Sequence, residues 1–454
     1  MVRPPSTYPG APVPVARTPI SRPGVDPARR RLLGALLAVP ALAAGGLTGC
    51  REEAAGRTDD GPTELSVFWF GDTLRAQSTE RALRLYSTRN PRVTFRVTWQ
   101  GVDGYYDRLA TQSAGGNVPD LLQLDDSMLT EYAHRGITLD LGPYAADGRL
   151  DLSNLPPGLV EYSQVDGRTV GVPAAQTHAA VVYNKDLLRR LGVPAPTAMP
   201  WADYVSWAAR VTRASNGRVA GTMDPSGDQR ALWLWLRGQG AKFYQGRQLG
   251  FDSNLLVDWF ELWQRARLEL ATPAPALVDR ADGGEPARQL VVTGHTAASF
   301  AWSHQLPELQ RHTNDELALV GFPGPTAAEW DRASMYWAGF HGTRHPSLVA
   351  DVIRFLATDV EAGRVLSIER GLPPDLAVRE AVTRSLTDPV PRRVAALGTA
   401  LRDLVGAAPA PPPQGHGRVC TLLAASARTI RSGEAGVRTT TFRFMAQAQS
   451  ALAA

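Results

Sequence analysis

Side chains able to do chemistry are sparse in this sequence of 454 residues. It has two cysteines, Cys50 and Cys420, and eight histidines, none at metal-ligand spacing. There is no glycine loop that would cradle a phosphate and no Gly-x-Ser-x-Gly turn. No metal and no cofactor is therefore expected. The carboxylates of Asp72, Asp125, Asp126 and Asp228 offer two chemistries. Asp125 and Asp228 could flank a glycosidic bond as acid and base, and all four together could gather a polycation. Arg230 is the one arginine well placed at a helix start for a phosphate.

Cys50 has a different setting. Arg29, Arg30 and Arg31 precede an apolar stretch, residues 32–48, broken by Pro40, Gly45 and Gly46. This is too short and too interrupted to span a bilayer. It has the charged start, apolar middle and small-residue end of an export signal, and it closes on Leu47-Thr48-Gly49-Cys50. That ending resembles the lipobox of bacterial lipoproteins, in which the cysteine thiol is acylated and becomes the first mature residue. The paired arginines before Leu32-Leu33 also resemble a twin-arginine signal, and a general secretory route fits equally. Residues 1–28 are proline-rich and read as an over-extended start. With Cys50 lipidated, Cys420 is alone and no disulfide is expected.

Hydrophobic residues make up 44% of the chain and charged residues 20%, which excludes general disorder and a polytopic membrane protein. The net charge of +4 is concentrated at the start. Residues 1–49 hold six arginines and one aspartate, leaving 42 basic and 43 acidic side chains beyond them. A nucleic-acid binder would carry its excess on the folded part. That class is excluded.

The elements that position these residues alternate. Residues 51–62 are small and polar, a tether following the anchor. Strands are expected at 65–70, 93–99 and 120–124, with helices at 75–88, 105–113 and from 127. Short strands follow at 170–173 and 179–183. Asn184 caps a helix that Gly192 and Pro194 end. Helices at 201–213 and 253–269 precede strands at 297–302, 317–320 and 335–340. From 346 the chain reads as helical, apart from the proline-rich loop 407–417. This order predicts an α/β protein with mostly parallel sheets.

A series of local motifs in this order resembles the extracellular solute-binding proteins of family 1, the receptors of ATP-driven sugar importers. It comprises Leu65-Ser66-Val67-Phe68-Trp69-Phe70, Gly115-Gly116-Asn117-Val118-Pro119-Asp120 and Gly171-Val172-Pro173. Tyr183-Asn184-Lys185-Asp186-Leu187-Leu188 with Gly192-Val193-Pro194 is the most specific part. Pro200-Trp201-Ala202-Asp203-Tyr204, Ala297-Ala298-Ser299-Phe300 and Gly321-Phe322-Pro323-Gly324 complete the series. The resemblance covers about residues 63–450. It implies the two-lobed periplasmic-binding-protein-like (type II) fold, with lobes joined by hinge strands. The expected lobes are 63–175 plus 300–338 and 176–299 plus 339–454. It further implies closure on a solute, delivery to ABC permease subunits, a monomer, no catalysis, and a location outside the cytoplasmic membrane, held there by Cys50.

Ligands of open α/β sheets lie beyond the carboxyl ends of strands. On the implied fold this selects Trp69, Phe70 and Asp72 after the first strand, and Asp125, Asp126 and Ser127 after the third. The resemblance adds Thr177 and His178 at a hinge, Asp228, Gln229, Arg230 and Trp233 on one cleft wall, and Trp302, His304, Tyr336 and Trp337 from crossing strands. Aromatic faces suit the C–H surface of a sugar, and planar carboxylates and amides suit its hydroxyls. Trp233 and Trp235 cannot share one helix face, so one is expected in the core. Asn184 and Asp186 are assigned to capping, and Asp125-Asp126 also suits a cap. Leu124 stands where some family members have a stacking aromatic, and Thr177 where some have a glutamate. The alternatives are the same receptor fold with a polyamine, a glycerophosphodiester or a metal chelate, and a secreted glycosidase.

Overall fold

The computed structural model describes residues 61–281 and 285–453. The export signal and Cys50 lie outside the described residues. Strand β1 (Thr63–Phe70) leads through helix α1 (Thr73–Arg89) to β2 (Val93–Gln100), and α2 (Tyr105–Ala114) leads to β3 (Leu121–Leu124). Asp72 opens α1 by accepting the backbone N–H of Arg75 at 2.8 Å, and the chain leaves it at Asn90-Pro91. Helices α3 (Asp126–His134), α4 (Gly142–Ala146) and α5 (Pro157–Glu161) follow, then the hairpin β4 (Gln164–Val165) and β5 (Arg168–Thr169), and β6 (Val172–Thr177).

After His178 the chain enters β7 (Ala179–Asn184) and helix α6 (Lys185–Leu191). The side chain of Asn184 accepts the N–H of Leu187, and Gly192 ends α6 at φ +65°. That left-handed turn is why a glycine stands there. Helices α7 (Trp201–Ala214) and α8 (Gln229–Gly238) come next, then the hairpin β8 (Tyr244–Gln245) and β9 (Gln248–Leu249). Helices α9 (Ser253–Leu268) and α10 (Pro275–Ala281), strand β10 (Ala298–Trp302), helix α11 (Leu306–Gln310) and β11 (Leu317–Gly321) complete this part. Strand β12 (Arg332–Gly339) precedes six helices. These are α12 (Pro346–Thr358), α13 (Val360–Leu366), α14 (Leu376–Ser385), α15 (Pro389–Leu401), α16 (His416–Ser432) and α17 (Val437–Ala453).

Two main sheets result. The first has the order β2-β1-β3-β12-β6, and the second β10-β7-β11. One apolar core holds the first sheet with α1, α12 and α13. The second sheet is buried on both faces, since Val181 enters the core with α7, α8, α9, α16 and α17 while its neighbour Val182 enters one with α11, α14 and α15. Among the described residues the chain passes between these halves three times: at His178, over 322–331, and between α13 and α14.

Two expectations need correction. Parallel pairing holds for β2-β1-β3, but β12 joins antiparallel and the second sheet is antiparallel throughout. The strands that cross between halves enter each sheet against the direction of those built by local crossovers. The expected division at 300 also fails: β10 and β11 pair with β7, whereas α12 and α13 pack on the first sheet. A strand belongs where its backbone hydrogen bonds go, and those partners are distant in sequence.

Candidate functional site

The loop ends named from the sequence converge on the junction between the halves, but their side chains divide sharply. Trp69 and Tyr336 are 0% exposed and Trp337 is 1% exposed, all within the first core. Phe70 is also buried, 5.1 Å from Tyr105 and 6.2 Å from Tyr106 between ring centroids. These four are packed into the core with little or no surface left for a solute, which corrects the expectation. Trp233 and Trp235 are both buried. Trp233 packs on Phe243 and Trp330, and Trp235 on Trp259, because α8 is enclosed on all sides. Among the aromatics named, Trp302 alone keeps part of its surface.

Thr177 and His178 are buried at the first crossing, where they tie strands together. The Ser303 hydroxyl accepts the N–H of His178 at 3.1 Å and lies 3.1 Å from the Thr177 hydroxyl. His304 Nδ1 lies 2.9 Å from the same hydroxyl of Thr177. Burial lowers the pKa of His304 to about 3, with the charges of Arg75 and Arg230 adding to the effect. Burial, helped by Arg379, lowers His178 to about 4. Both imidazoles are neutral at pH 7.

The four carboxylates are all engaged. Asp72 caps α1 and pairs with Arg311 across the junction at 2.5 Å. Asp125 caps α3, accepting from Met128 N at 3.1 Å and Ser127 Oγ at 2.5 Å. Burial, then the neighbouring charge of Asp126, raises its pKa. Asp126 lies 3.2 Å from Nε of Arg332. Asp228 caps α8 and is gripped by the Arg230 guanidinium, with contacts of 3.0, 3.1 and 2.5 Å. An acid–base pair for hydrolysis needs carboxyls free to exchange protons with a substrate; capping and chelation take up Asp125 and Asp228. The thiol of Cys420 is no better placed. It lies 3.4 Å from Nε2 of His416, whose Nδ1 meets the Tyr244 hydroxyl at 2.7 Å. Burial, then Asp126, Asp228 and Asp125, push the thiol up to about 12, so it stays protonated.

Beside Arg230 and Asp228 a cavity of about 390 Å3 opens in the second half. Ser299 and Phe300 of β10, Gln305, Glu308 and Arg428 share its lining. Gln229 is half-buried at the start of α8, next to this wall. Glu308 is also half-buried, and burial raises its pKa against the pull of Arg75 from the first half. Sequence reasoning missed Glu308, Gln305 and Arg428. The only signal was their position: Gln305 and Glu308 three and six residues past Trp302, and Arg428 two turns past Cys420 on its helix. A larger cavity of about 910 Å3 lies between α3, the β4–β5 hairpin and loop residues 406–414. Of the named residues, only Trp233 lines it. Among the described residues, no cluster of acidic, histidine or cysteine side chains could hold a metal. None of the described helices is long and apolar enough to cross a membrane.

Comparison with known proteins fits this architecture. A binding protein of Brucella abortus is 29% identical over 135 residues, covering 29% of this chain and 31% of that relative. An extracellular solute-binding protein family 1 structure from Alicyclobacillus acidocaldarius superposes with a TM-score of 0.67 at 23% identity. It covers 86% of this chain and 99% of that one. A periplasmic oligogalacturonide-binding protein of Yersinia enterocolitica, solved with digalacturonic acid, gives 0.72 at 20% identity, covering 86% and 98%. At these identities the likeness establishes the two-lobed fold. Residues 76–362 match the family of bacterial extracellular solute-binding proteins, and with more than half of its length matched, this chain belongs to that family.

Proposed function

We propose that this protein is the receptor of an ABC importer, exported and held at the outer face of the membrane by a lipid on Cys50. It captures a carbohydrate between its halves by hinge closure and delivers it unchanged to permease subunits. The lobes are residues 63–177 with 332–366 and residues 179–330 with 368–453, hinged at the three crossings. The observation that carries this reading is the cavity of about 390 Å3 beside the junction. Planar polar groups of Arg230, Gln305 and Glu308 line it, and Arg230 also lies over the partly exposed ring of Trp302. That combination suits hydroxyl-rich rings, and carbohydrate ligands of fold relatives such as the Yersinia protein agree with it. Asp72, Asp125, Asp126 and Ser127 approach from the other half, as capping and junction residues first.

A thermal-shift screen of mono- and oligosaccharides, polyamines and glycerophosphodiesters tests the proposal. A solute at a hundred times its Kd adds about 2.7 kcal/mol to stability, a visible shift. The expected hit is a sugar, whose calorimetric affinity falls about tenfold in Trp302→Ala, or about 1.4 kcal/mol. A polyamine hit would move the ligand to the clustered carboxylates. Turnover of a glycoside would overturn the receptor reading.

A further inference from the structure

Arg332 is the first residue of β12, where the chain re-enters the first sheet from the second half. It is 2% exposed, yet neither Nε nor Nη2 makes a well-aligned hydrogen bond. Its carboxylate neighbour is Asp126 of the first half, 3.2 Å away. Three indoles of the second half surround the guanidinium, with centroids at 4.2 Å for Trp330, 4.7 Å for Trp302 and 5.6 Å for Trp233. A guanidinium suits such stacking because it is planar and weakly hydrated. Burial opposes its charge, but Asp126, then Tyr162 and Glu329, outweigh that, so Arg332 is a cation in place.

This arrangement makes sense only when the halves are together. Separating them would withdraw the guanidinium, which stays with Asp126 in the first half, from the indoles of Trp302 and Trp233 in the second. We propose that Arg332 is a positioning residue that latches the closed form, holding Asp126 of one half against Trp302 and Trp233 of the other. The latch rests on the hinged-receptor reading above. It makes Trp302 part of the closing device as well as a cavity neighbour, since Arg230 also lies over the same ring at 5.0 Å. It also gives the paired halves a link that needs no solute.

Small-angle X-ray scattering of the purified, solute-free protein tests this directly. Arg332→Gln and Asp126→Asn should each increase the radius of gyration over wild type, and the double variant should add no further increase. A merely structural role would lower the melting temperature and leave the radius of the folded protein unchanged. Should Arg332→Gln fail to fold, Asp126→Asn still decides. Equal radii for wild type and the folded variants overturn the latch and leave the receptor reading intact. If the variants are expanded and no solute compacts them or the wild type, the latch stands and the receptor reading fails.

Discussion

Three histidines, His178 and His416 buried and His304 half-buried, make a quantitative prediction about acid. Burial holds His178 and His416 at about 4 and His304 at about 3, all below the ordinary 6.5. Each is neutral when folded and takes a proton when unfolded, so stability is full above 6.5 and falls as pH drops towards the folded values. Glu329 works the other way. Burial raises it to about 7 despite Arg332 and the N–H groups of Trp330 and Ala179, so lowering the pH relieves a buried charge. At pH 5.5 the histidines take up about 2.7 protons on unfolding and Glu329 releases about 0.9. These four groups take up roughly two protons, which corresponds to about 2–3 kcal/mol of stability lost per pH unit, less what the raised carboxyls of Asp125, Glu308 and Asp331 offset. Between pH 7 and pH 5 the loss is about 3–4 kcal/mol, a large share of a typical total. Urea titrations across this range measure it, and His304→Asn should remove about one proton from the slope. A protein as stable at pH 5 as at pH 7 would refute the buried-neutral histidines.

Two further outcomes are expected. Cys50→Ala should release the protein from membranes to the soluble fraction and abolish labelling by radioactive fatty acid; continued labelling would place the lipid elsewhere. Gly221→Ala would bring a methyl group to 2.0 Å from the Ala208 carbonyl oxygen, inside the packing of α7. It should cost about 3 kcal/mol or more, read as a lower urea midpoint, because the atoms it meets are all backbone of Ala208 and cannot rotate away.

The elements were more legible than the site. Asn184, Gly192 and Pro194 are local signals, and α6 lies where they place it. The motif series from Leu65 to Gly324 conveyed the family. Strand β6 was expected at 170–173 and runs Val172–Thr177, because Ala174 and Ala175 carry no β-branched signal. Strand β12 begins at Arg332, three residues before the expected start, since a buried arginine does not read as strand. The aromatic faces failed for a general reason. β1 lies between β2 and β3 in a sheet covered on both faces, so Phe68, Trp69 and Phe70 are all inside and alternation does not identify a ligand face. Glu308 and Arg332 depend on contacts across hundreds of residues, which no local pattern records.

The way the halves meet bears on how a solute could control them. Each half keeps its own apolar core, and the side chains that bridge the junction are mainly polar. Asp72 with Arg311 is partly exposed, and Asn154 donates to Asp375 at 2.8 Å. Gln176 also donates to Asp331 at a crossing. Exposed ion pairs contribute about 0–1 kcal/mol, so such contacts can break and re-form without exposing a core. Arg332, paired with Asp126 in its own half and stacked on Trp302 and Trp233 of the other, is the buried exception. Moving a two-state hinge from 1:99 to 99:1 takes about 5.5 kcal/mol of differential affinity. Links as weak as Asp72–Arg311 cannot supply that, so a solute must, through contacts made only when both halves surround it. Strengthening the buried stack across the junction would raise apparent affinity and reduce the change in shape that a permease could read.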